Sequence, residues 1–124
     1  MKRFFTVYLF FFFFSTLSLL ATDKRAVASG EWGDPNIWSP TGVPTSSDSV
    51  IIHQTAGFDY VSVTISSANA VCAALLIDPD YIGDSITITN GRTLTVNRGI
   101  ETNGYLVFFG GGGTLNLAGN WILN

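Results

Sequence analysis

The chain has 124 residues, of which 47% are apolar, with 6 basic side chains against 9 acidic ones and a single cysteine. One cysteine excludes an intramolecular disulfide, so packing and hydrogen bonds must supply the stability. Four of the basic residues, Lys2, Arg3, Lys24 and Arg25, fall before residue 29; beyond it Arg92 and Arg98 face eight acids, a net charge of about −6 that speaks against nucleic-acid partners, whose phosphates demand a basic patch.

Met1, Lys2 and Arg3 run straight into an apolar stretch from Phe4 to Ala21. Positive charge followed by an apolar segment and small residues is the order of a secretory leader. Two small-residue cleavage sites follow, after Ala21 in Leu19-Leu20-Ala21 and after Ala28 in Ala26-Val27-Ala28. The second is preferred, which makes residues 1–28 the leader and leaves a mature protein without a membrane span. An uncleaved anchor is the alternative, since about 18 apolar residues is near the lower limit for crossing a bilayer.

After residue 28 no window places apolar residues at helical spacing for three turns, whereas alternation of apolar residues with Thr, Ser or Asn recurs. The expected strands are Ser49 to His53, Tyr60 to Ile65, Ala74 to Ile77, Ser85 to Thr89, Thr93 to Val96, Tyr105 to Phe109 and Thr114 to Leu117. Between them Asn90-Gly91, Asn103-Gly104 and Gly110 to Gly113 provide turns with positive φ at low cost.

The second half repeats. Thr93-Leu94-Thr95-Val96 returns as Thr114-Leu115-Asn116-Leu117, and the segment from Gly99 to Asn103 as Asn120 to Asn124, both displaced by 21 residues, a displacement that also sets Ile86 and Ile88 on Val107 and Phe109. Short alternating strands at a period of about 20 residues are what one coil of a β-solenoid requires. The expected fold is all-β: a right-handed parallel β-helix with about 20–21 residues per coil, occupying residues 49–124, behind a Trp-rich cap at 29–48. An antiparallel β-meander or sandwich is the structural alternative, because Asn-Gly between alternating strands is also a hairpin signal. The last copy of the repeat breaks off at Asn124, which leads to the expectation that the remainder of a longer chain, or a partner, stacks on that end.

Candidate chemistry is sparse. Trp32 and Trp38 flank a Gly-Asp-Pro-Asn turn; they would either stack on sugar rings, since an exposed indole offers an apolar face with a polar edge, or cap the open first coil. Trp121, at a repeat position opposite Ile100, is expected in the core. Asp78, Asp80 and Asp84 form the one carboxylate cluster, and calcium is the cofactor that such oxygen ligands would suit; the competing reading is a solvated acidic turn around Pro79. Cys72 sits in the apolar run Val71 to Leu75 and is expected to be buried and unreactive. His53 lacks a nucleophile signature around it, and no Gly-x-Ser-x-Gly elbow exists. Gly110 to Gly113 lacks the Lys and helix of a phosphate loop. Arg92 and Arg98 flank one strand without paired acids, so the expectation is that the segment is not an enzyme.

The run Trp32, Trp38, Gly42-Val43-Pro44 and Asp48 ahead of Val50-Ile51-Ile52, followed by strands with Asn-Gly turns, resembles the amino-terminal region of large secreted and surface bacterial proteins. Many of these leave the cell by the type IX route and carry β-helical repeats. The run is also similar to the extracellular domain family named for its eight glycines. The resemblance covers residues 29 to about 124, and Thr55 to Ser67 departs from the usual spacing. It implies a secreted or cell-surface, non-catalytic structural or adhesion module at the start of a larger β-helical protein, with glycans or other cell-surface components as partners. A carbohydrate-binding module, or the leading fragment of a carbohydrate-active enzyme such as a polysaccharide lyase, is the alternative it implies.

Overall fold

The computed structural model describes residues 21–53, 60–77, 83–102 and 112–124. The strands among them are β1 (Asp23–Ala26), β2 (Gly30–Glu31), β3 (Trp38–Ser39), β4 (Ser49–Ile52), β5 (Ser62–Ile65), β6 (Ala70–Ile77), β7 (Ser85–Ile88), β8 (Thr93–Thr102), β9 (Thr114–Leu117) and β10 (Asn120–Leu123), with one 3-10 turn at Pro35–Ile37. The expected strand Tyr105 to Phe109, the partners proposed for Ile86 and Ile88, and the Asn103-Gly104 turn lie outside the described residues.

Two sheets form. The larger has the order β10-β8-β6-β4-β1-β3, with β9 beside the first half of β8, and the smaller the order β2-β5-β7. Apart from β1 with β3, the pairings are parallel. A parallel neighbour cannot be reached by a tight hairpin and needs a crossover. Here the crossover is the coil itself: from β5 in the small sheet the chain turns into β6 in the large one, and from β7 into β8. The result is a parallel β-solenoid of about three turns. The meander is excluded by the Asn90-Gly91 turn, where Gly91 takes φ +75° but joins β7 to β8 in different sheets instead of folding them into a hairpin.

Inward positions stack in register from coil to coil. Val50 lies beside Leu75 and Leu75 beside Ile100; Ile52 beside Ile77; Val63 beside Ile86; Ile65 beside Ile88; Leu94 beside Leu115; Val96 beside Leu117. Identical strand phase every coil, at about 4.8 Å per step, turns alternation along the chain into apolar columns along the axis. Val50, Ile52, Val63, Ile65, Ile77, Ile86, Ile88, Leu94 and Val96 are fully buried. Each such side chain contributes about 1.5–3 kcal/mol relative to exposure.

Coil length is not constant. Asp23 pairs with Ser49, Ser49 with Ala74, Ala74 with Gly99, and Gly99 with Asn120, so the step shortens from 26 to 25, 25 and finally 21 residues. The 21-residue register expected from the repeat is thus the last coil's own. It holds for Thr93 beside Thr114 and for Gly99 beside Asn120. A register shift between Cys72 and Ala74 divides the β6–β8 pairing into two halves, and β9 and β10 pair separately with the two halves of β8. The fold also begins earlier than residue 29: β1 lies between β4 and β3 in the large sheet.

Candidate functional site

The amino-terminal end is closed by the two tryptophans. The Asp34 carboxylate accepts from the Asn36 amide at 2.9 Å and Pro35 opens the 3-10 turn, which swings Trp38 back onto Trp32. Their rings meet edge to face at 5.1 Å, and Trp38 Nε1 donates to the Trp32 carbonyl at 2.9 Å. Trp32 is 4% and Trp38 1% exposed. Rings buried to this degree offer no face to a sugar, so the carbohydrate-stacking expectation for Trp32 and Trp38 is replaced by the cap: both indoles cover the first coil, and Trp38 satisfies its polar edge on the Trp32 carbonyl.

Three carboxylates serve the backbone. Asp48 is buried, its Oδ2 accepting from the Thr45 amide and hydroxyl, each at 2.8 Å, and its Oδ1 from the Thr22 amide at 3.2 Å. Burial pushes its carboxyl up, but the Thr45 and Thr22 donors and the charge of Lys24 outweigh this and hold it below its ordinary value. Glu31 reaches across a coil to the turn after β5, accepting from the Ser66 amide at 2.6 Å and the Ser67 amide at 2.9 Å. Burial again opposes, and these donors again leave its carboxyl lowered. Asp84 is fully buried and accepts from the Val61 amide at 2.7 Å. Asp78 and Asp80 lie outside the described residues, and Asp84 spends its carboxylate on the neighbouring coil; among the described residues no three His, Cys, Asp or Glu side chains converge as a metal site would need.

The remaining candidates also resolve into structure. Cys72 is fully buried, and burial pushes its thiol up to about 12, so it is held as the unreactive thiol. Arg92 donates from Nε to the Ser66 carbonyl at 2.7 Å, bracing the adjacent turn. Trp121 does pair with Ile100 but is 45% exposed, not core: β10 is the outermost rung among the described residues, and its indole donates to Thr102 Oγ1 at 3.3 Å.

One outer surface differs from the rest. The small sheet and the first half of the large one display the Ser and Thr ladder, with Ser62 beside Ser85, Thr64 beside Thr87 and Thr93 beside Thr114. On the second half the outward rows are instead Ser49, Ala74, Gly99 and Asn120, and beside them Ile51, Leu76, Glu101 and Ile122. Short side chains in one row and long ones in the next leave an open groove of about 490 Å³, with Arg98, Glu101 and Asp23 among its lining residues. Outward alternation made these positions findable from sequence, but which row would be small could be read only once the registers of four strands were known. The arrangement offers an apolar floor with charged margins, and Asp23 and Ser49 lie in register among its lining residues. No family model matches the chain, and no curated protein or solved structure is significantly similar to it.

Proposed function

We propose that the chain is the leading part of an exported structural or adhesive β-solenoid that acts through its shape and surface. The observation that carries this reading is the stack of parallel coils, in which Asp48, Glu31 and Asp84 hold backbone amides, Arg92 holds a carbonyl and Cys72 is buried. What is left for function is an extended periodic exterior, the kind of surface that repeat proteins present to partners. Positive charge at Lys2 and Arg3 ahead of the apolar stretch from Phe4 to Ala21 supports export.

The groove on the large sheet favours a second reading, binding of an extended glycan. Ile51, Leu76 and Ile122 would lie under the apolar faces of sugar rings, with Glu101, Arg98 and Asn120 available to hydroxyls. A glycan array with the intact chain separates the two. Under the structural reading no glycan is retained, and adhesion to cells, if measured, survives Leu76→Lys. Glycan retention abolished by Leu76→Lys, with an unchanged unfolding transition, would establish the groove as a binding site and make the second reading the function.

A further inference from the structure

We propose that the leader is removed after Ala21, so that the mature protein begins at Thr22 and keeps β1 as its first strand. The inference rests on the export reading above, and it reverses the order in which local sequence ranks the two cleavage sites. Ala26-Val27-Ala28 has the better small-x-small pattern, but the structure gives those residues work in the mature fold. Ala26 is fully buried. β1 pairs in parallel with β4 through Asp23, Lys24 and Arg25, and antiparallel with β3 through Arg25 and Ala26. The Val27 amide donates to the Ile37 carbonyl at 2.8 Å, and the Ser49 amide to the Thr22 carbonyl at 3.0 Å. Lys24 is only 9% exposed, its Nζ donating to the Pro40 carbonyl at 2.9 Å and the Thr41 carbonyl at 3.2 Å. Cutting after Ala28 would strip all of this away and leave the Val50 edge of the core open.

The bond before Thr22 suits the opposite outcome. Ala21 is exposed, whereas the Thr22 nitrogen already donates to Asp48 Oδ1 at 3.2 Å. Hydrolysis of the Ala21–Thr22 peptide bond by a host leader peptidase adds water across it: the hydroxyl goes to the Ala21 carbonyl carbon and the proton to the Thr22 nitrogen, which takes up a further proton at neutral pH. The amide donor is thereby exchanged for an ammonium at the same place. A buried carboxylate then receives a charged donor in place of a neutral one, a stronger partner at the new end of the chain. Processing at this site therefore strengthens the Asp48 node, whereas processing at Ala28 would remove its Thr22 donor and leave it only those of Thr45.

The test uses the full chain with its own leader, expressed in a Gram-negative host, followed by fractionation, intact mass and amino-terminal sequencing. Exported material is expected to begin at Thr22. Ala28 is exposed, so Ala28→Leu blocks the second site without touching the core and should leave the start at Thr22, whereas Ala21→Leu should accumulate precursor. Exported protein beginning at Ser29, a start moved by Ala28→Leu, or an exported chain still beginning at Met1 would each overturn the proposal while leaving export intact. A Met1 chain confined to the cytosol would overturn the export reading itself, and this proposal with it.

Discussion

Asp48 shows how much of this fold rests on single buried polar residues. It receives donors from Thr45 and Thr22 and sits near the charge of Lys24, so its carboxyl titrates below the ordinary 3.8 in the folded chain. A folded value below the unfolded one means that the ionised form stabilises the native state above about pH 4, and that this contribution is lost as pH falls through the folded value. Hydrogen bonds to a buried charge are worth about 1.5–3 kcal/mol each and do not add fully, so Asp48→Ala should cost about 3 kcal/mol at pH 7. Asp48→Asn keeps the shape and removes the charge; denaturant unfolding at pH 7 and pH 3 should show a smaller pH dependence for it than for the parent chain. The role was only half legible in the sequence. An Asp ahead of Val50-Ile51-Ile52 stood out, but its main donors are Thr45, three residues back, and Thr22, in a segment read as leader.

At the level of the element, legibility followed the contrast between inward and outward residues. β9 is found where its alternation puts it, and β4, β5 and β7 differ from expectation only at their ends. β6 and β8 are longer than expected because the bend after Cys72, and the matching one after Val96, interrupts the alternation without ending the sheet. β1 escaped detection because one of its two inward positions is Lys24, whose ammonium is satisfied by the Pro40 and Thr41 carbonyls; burial alternates while hydropathy does not. Glycine sets the final element. A Cβ at Gly119 would run into the Arg98 carbonyl, so only glycine lets the chain pass from β9 to β10 against β8. Gly119→Ala should therefore detach β10 locally. Amides of residues 120–123 should exchange about tenfold faster, equivalent to about 1.4 kcal/mol of local opening, while β4 to β7 keep their protection. Trp32 and Trp38 stay buried in either state, so a red shift in tryptophan emission would report Trp121 alone. Unchanged exchange across 120–123 would mean that the backbone relaxes around the added methyl.

For the molecule as a whole the two ends of the stack are unequal. The amino-terminal end is covered by Trp32 and Trp38, whereas the last coil shows Trp121 at 45%, Ile122 at 50% and Leu123 at 76% exposure, with Leu115 and Leu117 only partly buried. β9 and β10 pair with β8 on one side, and among the described residues no strand pairs with the other. A parallel edge backed by an apolar column is a template for another rung, and a further coil, or a second copy, would bury both the edge and the column. The exported chain beginning at Thr22 should consequently associate at micromolar concentrations, with a sedimentation coefficient that rises with concentration. Leu123→Lys places a charge on that edge without touching any buried core side chain, and it should return the chain to a monomer with the same circular dichroism. If the parent chain instead sediments as a monomer over that range, the exposed rung is self-sufficient, and the case for a continuing solenoid loses its physical basis.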